Sequence, residues 1–298
     1  MNAKEFYRVL LNLSAKLFGV TFTKKADAKL RFHRKLDLKN PTTLADKLCY
    51  LELYVEDPLK TKCSDKYAVR EYVAGKGLAD ILVPLCHDVC SDVSEIRFDR
   101  LPEQFVMKAT HGCGMNFICP DKSKVSEEQV LRIAQKWLEE DYARACIEPH
   151  YQKIPHRIQF EELLQDEKGI VDYKIHCFHG VPDYILVCTS RESGIKYYLR
   201  TLDWEPLMVD THHELGTERI PKPEKLDEMI EISKTLSADF DFVRVDLYEI
   251  NGKIYFGELT FSPETGALPG YNERFLVEKG KLLDIDGQLS GINMKKKG

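Results

Sequence analysis

The chain has 298 residues, 43% of them apolar and 31% charged, the make-up of a globular protein large enough for two or three packed subdomains. No apolar run is long enough to span a bilayer, and a net charge of −5 without any aromatic-and-basic recognition motif argues against nucleic acid as a partner. The nine cysteines are odd in number and follow no secretory signal, so they read as free thiols in a reducing, cytoplasmic compartment; Cys86, His87 and Cys90 lack the second pair a structural zinc site needs.

Charge is spread unevenly. Residues 1–35 hold nine Lys or Arg against two acids, a net of +7, which leaves −12 for the rest. In residues 1–20, Phe6, Val9, Leu10, Leu13, Leu17 and Phe18 recur at helical spacing among Lys4, Arg8 and Lys16, and no small-residue cleavage site follows. This amphipathic helix is expected to pack on the body by its apolar face; the other arrangement open to it is a peripheral one on an anionic membrane surface. Helical segments fill the first 60 residues and break at Asn40-Pro41. Ser64 is placed to cap a helix over 65–74 that stops at Gly75. Strands are predicted at 81–85 and 104–109, then a glycine-bearing loop over 111–116 and a short strand ending at Cys119. Ser126 and Gln129 form a capping box for a helix to about Tyr142. Strands at 157–163, 172–178, 183–189 and 195–200, a long helix over 223–237 and a hairpin over 242–261 follow, with a frayed tail at Lys295 to Gly298. The order indicates an α+β protein with mainly antiparallel sheets. It divides into a helical basic segment (1–62), two α+β subdomains (63–160 and 161–285) and a tail (286–298). No strand is followed by Gly-x-Gly-x-x-Gly, and no Gly-Lys-Ser/Thr phosphate loop exists, so Rossmann and Walker-type sites are unsupported.

The hairpin carries the strongest chemical signal. Arg244 and Asp246 share one face of its first strand, Glu258 and Thr260 one face of its second, and Asn251-Gly252 marks the turn. A two-residue turn with an unbroken ladder would send Glu258 to the other face. A three-residue turn over 250–252, with Gly252 left-handed, would put all four on one face, and that turn is expected. Two carboxylates with a hydroxyl suit magnesium, an ion that shares its shell with phosphate oxygens. The same acids could instead pair with Arg244 and Lys253 on an exposed face. Upstream, Lys108 stands within an apolar strand just before His111, Gly112 and Gly114. A lysine there needs an anion, and glycines let backbone amides approach phosphate oxygens; alternatively the lysine lies on an edge strand and reaches water.

Taken in order, these pieces resemble the ATP-grasp superfamily: a strand lysine and glycine loop, Glu161-Glu162-Leu163-Leu164 as an interdomain hinge, Asp172-Tyr173-Lys174, and the Arg-x-Asp and Glu-x-Thr hairpin strands. More closely, the chain resembles the TupA-like ATP-grasp family of polysaccharide biosynthesis, named for teichuronopeptide synthesis. The matching stretches include Asp65-Lys66-Tyr67-x-Val69-Arg70, Phe105 to Gly112, Arg157 to Glu162, Asp172 to Gly180, Asp203-Trp204, Lys222-Pro223 and 242–261, covering roughly residues 40–275. Many relatives carry Asn where this chain has Thr260, a weaker magnesium ligand.

The resemblance implies two subdomains clasping ATP behind a helical N-terminal segment. Lys108 and Lys174 would hold phosphates beneath the loop of His111, Gly112 and Gly114. Glu161, Glu162 and Leu163 would meet adenine, with Asp166 or Glu167 at the ribose. Asp246, Glu258 and Thr260 would hold Mg2+, and Arg191, Arg244 and Lys174 would steady the transferring phosphoryl group. The implied reaction joins a carboxylate, such as a glycan uronate, to an amine (an amino acid or amino alcohol) through an acyl phosphate. A sugar kinase or a non-catalytic ATP-binding scaffold are the rival readings.

Overall fold

The computed structural model describes residues 3–143, 147–166, 169–189, 194–207 and 220–295. Five helices come first: α1 (Ala3–Phe18), α2 (Val20–Phe32), α3 (Leu44–Tyr54), α4 (Pro58–Ser64) and α5 (Val69–Gly75). Gly19, at φ 83°, makes the left-handed turn between the first two. Thr43 and Asp46 form a full capping box on α3, and Asp57 caps α4 ahead of Pro58. The expected cap at Ser64 is corrected. Ser64 ends α4 with its hydroxyl donating back to the Lys60 carbonyl, and Asp65 accepts from the Tyr67 and Ala68 amides ahead of α5. A carboxylate can do this and still bind a second partner, and its other oxygen takes Arg157 at 2.5 Å.

The expected strand over 81–85 is also corrected. A 3-10 turn spans Ala79–Ile81, and only Leu85 bridges to a strand. Pro84 has no N–H for a ladder and contributes its carbonyl alone, to the Glu162 amide.

Two antiparallel sheets follow. The first has the order β2-β1-β3, from β1 (Phe105–Ala109), β2 (Asn116–Cys119) and β3 (Ile158–Glu162), with α6 (Glu127–Glu139) packed on it. Ser126 accepts from the Gln129 amide at the start of α6, which ends three residues short of Tyr142. The second sheet, β6-β5-β4-β7-β8, is built from β4 (Asp172–Phe178), β5 (Val181–Thr189), β6 (Lys196–Thr201), β7 (Phe242–Ile250) and β8 (Lys253–Thr260). One of its faces buries Ile175, Ile185, Val243, Val245 and Leu247 against α7 (Leu226–Ser237). The other face buries Phe178, Tyr184, Leu186 and Leu199 under α3 and α8 (Glu273–Gly280). Apolar cover thus leaves one open stretch on this second face, along β4, β7 and β8.

The hairpin turn has two residues, not the expected three. Asn251 and Gly252 sit at φ 53° and 73°, and Ile250 pairs with Lys253. The shared face survives for another reason. Leu247 pairs with Phe256 but Asp246 pairs with Glu258, so Gly257 is an extra residue, a bulge that resets the alternation inside β8.

The N-terminal helix faces opposite to expectation. Its polar side meets the rest of the protein: Tyr7 donates to Asp27, Arg8 pairs with Glu140 at 2.7 Å, and Ser14 meets Thr23 at 2.8 Å. Its apolar side is exposed. The anchor beneath is polar as well. Buried Glu52 holds Lys60 at 2.6 Å and His150 at 2.7 Å, and although burial opposes its charge, these two partners hold its pKa at about 2.

Candidate active site

Because β7 pairs with both β4 and β8, cross-strand partners form two rows on the open face. Lys174, Asp246 and Glu258 make one row; His176, Arg244 and Thr260 make the next. Asp246 accepts Lys174 Nζ at 2.5 Å on Oδ2 and Arg244 at 2.6 Å on each oxygen. Arg244 Nη2 continues to Glu258 Oε1 at 3.3 Å and Thr260 Oγ1 at 3.0 Å, while Thr260 donates to Glu258 at 3.0 Å. Burial disfavours the charges of Lys174, Arg244 and Asp246, and their partners outweigh it. Lys174 is raised above the ordinary lysine value by Asp246 and Glu258, and Asp246 is held below the ordinary carboxylate value by Arg244 and Lys174. His176, stacked on Tyr184 at 4.1 Å, is kept neutral by burial and by the Arg244 charge.

Gly257 makes this possible. A Cβ there would stand 2.9 Å from the Asp246 carbonyl and 3.0 Å from the Tyr248 ring. Gly257→Ala is therefore expected to cost about 1–3 kcal/mol and to displace Glu258 from Asp246. Urea midpoints and magnesium-dependent nucleotide affinity measured together test this; an unchanged affinity would show that the bulge does not set the site.

The first sheet supplies a second cationic group. Lys108 reaches diagonally across β1–β3 to Glu161 at 2.5 Å, and Gln159 holds the other Glu161 oxygen at 2.8 Å. Lys66, Arg70, Lys108, Glu161, Phe256 and Gly257 line one small cavity, so the strand lysine of the first sheet faces the bulge of the second. Strand alternation sends Glu162 the other way, and with Leu163 it lines a separate open cleft of about 820 Å³. The three hinge residues thus divide between two spaces.

The glycine loop joins these groups. Lys66 donates to the Gly112 carbonyl, and a Cβ at Gly112 would strike Met115 at 2.6 Å and Tyr142 at 2.9 Å. Gly114 is left-handed at φ 73°. Cys113 in this loop is an exposed free thiol, raised above the ordinary cysteine value by desolvation and then by the Glu258 carboxylate. His111 lies under the loop, with Nε2 at 3.0 Å from the Trp137 carbonyl and its ring stacked on His156 at 3.9 Å. Burial, then His156, lowers it to about 4. An unfolded histidine protonates near 6.5, so this contribution to stability is complete above that pH and is lost as pH falls toward 4, at up to about 1.4 kcal/mol per unit. Urea midpoints of wild type and His111→Gln should therefore converge over that window; a constant gap would show the ring is not held neutral.

Arg191 and Glu167 lie outside the described residues. Asp166 lies in the loop after β3, where its carbonyl accepts from the Gly169 amide. Lys66, Arg70, Gln159 and His176 were not singled out from the sequence as site residues. For Lys66 and Arg70 the signal was present in the Asp65-Lys-Tyr-x-Val-Arg stretch.

A model of the TupA-like ATP-grasp family matches residues 46–281. The chain belongs to this family. No curated protein sequence matches it. Among solved structures, it is similar to a D-alanine–D-alanine ligase from Helicobacter pylori at 13% identity and TM-score 0.44, over 81% of this chain and 69% of that one. It is also similar to the D-cycloserine synthetase DcsG at 15% identity and TM-score 0.45, over 80% and 78% of the two chains. The ATP-grasp ligase PsnB, bound to Mg and ADP, is similar at 13% and 0.40, over 76% and 61%.

Within this ATP-grasp chain the donor set fits magnesium. Arg244 Nη2 already gathers oxygens of Asp246, Glu258 and Thr260 around one positive charge. These are hard oxygen donors of the kind magnesium takes beside phosphate oxygens and water.

Proposed function

We propose that this ATP-grasp protein is an ATP-dependent carboxylate–amine ligase. The observation that carries the reading is the pair of rows on β4, β7 and β8, two acids flanked by Lys174 and Arg244, next to a bulge that shares a cavity with Lys66 and Lys108. Lys66 and Lys108 bind ATP phosphates, with Lys108 leaving Glu161 to do so. Asp246, Glu258 and Thr260 would hold magnesium, whose charge would offset that of the ATP phosphates. Arg244 and Lys174 orient the γ-phosphoryl group and balance charge as it transfers, a role we extend to Arg191. A substrate carboxylate oxygen attacks the γ-phosphorus and the bond to the bridging oxygen breaks, releasing ADP. The amine nitrogen then attacks the acyl carbon, phosphate leaves with the C–O bond, and the nitrogen loses a proton to give the amide. Glu161, in the cavity of Lys108, and the loop of His111, Gly112 and Gly114 serve the nucleotide side, while Glu162 and Leu163 face the separate cleft.

For the acid we favour a uronate of a cell-surface glycan or its precursor, and for the amine an amino acid or amino alcohol; the family's link to polysaccharide synthesis supports this. A cytoplasmic setting suits the eight cysteines among the described residues, all free thiols. The test is a phosphate-release screen of uronates against amines with Mg-ATP. Release that requires both partners supports the ligase. Phosphate retained on a sugar would make the protein a phosphotransferase, and nucleotide binding without turnover for any pair would make it a scaffold.

A further inference from the structure

The helical hairpin of α1 and α2 shows its apolar residues to solvent. Phe6, Val9, Leu10, Leu13 and Leu17 lie within one narrow stripe of α1, on the side away from Tyr7, Leu11 and Ser14, which pack inward. Phe18 and Phe22 touch at 5.2 Å and carry the stripe onto α2, where Leu30 is the most exposed of the set. Each of these eight side chains is between 44% and 76% exposed. A run of this kind marks a contact surface. Its charge is just as uneven. Lys16, Lys25, Lys29 and Lys35 are exposed beside the stripe, while Asp27, the single acid between residues 6 and 35, is buried under Tyr7 and Arg31.

We propose that this hairpin seats the protein on an anionic lipid surface, with the apolar stripe entering the headgroup layer and the lysines meeting lipid phosphates. The exposed lysines of this +7 segment turn toward the bilayer and the −12 body away from it, which fixes one orientation. No helix among the described residues is long and apolar enough to cross a membrane, so the contact is interfacial. A second copy is a poorer occupant, because a symmetric pairing of this face would set its lysines against each other. The inference is independent of the reaction assigned above.

The test is co-sedimentation of the full chain with vesicles of phosphatidylcholine alone and of phosphatidylcholine with phosphatidylglycerol. Binding is expected to the anionic vesicles, weakened by salt, and at least about tenfold weaker for Leu13→Ser/Leu17→Ser and for Lys25→Glu/Lys29→Glu, each at unchanged circular dichroism. Three results would overturn the proposal. One is no binding to anionic vesicles at low salt. Another is equal binding by wild type and both double variants. The third is a wild-type dimer, seen by light scattering, that Leu13→Ser/Leu17→Ser converts to monomer, which would give the face to a second copy.

Discussion

Glu258→Gln is expected to lower ATP-dependent phosphate release on the order of 10²–10³-fold while leaving thermal stability nearly unchanged. The carboxylate is 35% exposed, and its bonds to described residues are one 3.3 Å contact from Arg244 and one 3.0 Å bond from Thr260. An amide keeps an oxygen for both, so the fold loses a few tenths of a kcal/mol, within the range of ordinary surface changes. On the proposed reading, the site loses one of the two negative charges that would face magnesium and triphosphate. Calorimetric titration of an ATP analogue with and without magnesium gives a readout free of substrate identity: the variant should bind nucleotide with most of its magnesium dependence gone. Near-normal turnover, or a magnesium dependence equal to wild type, would remove the hairpin from the chemistry.

Asp246→Asn should do something different: inactivate and destabilise together. Before the structure is considered, Asp246 looks like a metal ligand that folding could spare. Its side chain is instead 2% exposed and is the shared partner of Arg244 and Lys174, themselves only 12% and 15% exposed. Removing its charge takes the nearest anion from two largely buried cations, leaving Arg244 only Glu258 at 3.3 Å and Lys174 only Asp172 at 3.4 Å among the described ion pairs, a loss of up to about 3–5 kcal/mol. For a protein of this size that lowers Tm by about 5–8 °C. A melting curve within a degree or two of wild type would contradict the ion-pair description. Double substitution with Lys174→Met should recover part of the stability and none of the activity, because it removes one stranded cation without restoring the ligand.

The alternating strands were legible because their periodicity and turn signals agree. Residues 172–178 alternate cleanly and form β4 at those bounds, and Asn251-Gly252 announces the hairpin. The error lay in where the register changes. Gly257, a glycine inside an apolar strand, is itself a bulge signal, yet the shift was assigned to the turn. Pro84 likewise warned against a strand over 81–85. Other features could not be read locally. Lys66 joins Lys108 only because the segment between α4 and α5 packs under the glycine loop, and Glu161 becomes the lysine's partner through the β1–β3 register. The direction an amphipathic helix faces also depends on its neighbours. Polar partners at Asp27 on the next helix and at Glu140 far along the chain hold α1 with its apolar side outward.

Because the offset between the two acids lies within β8, the tip of the hairpin is mechanically independent of the catalytic register. Asn251 and Gly252 could accept an inserted peptide, and β7 and β8 would still meet with Asp246 opposite Glu258. Deleting Gly257 would instead turn Glu258 to the far side of the sheet. The chain thus holds, next to its most constrained residues, a place where length is free to vary, and a label or epitope placed there would report on the site without occupying it.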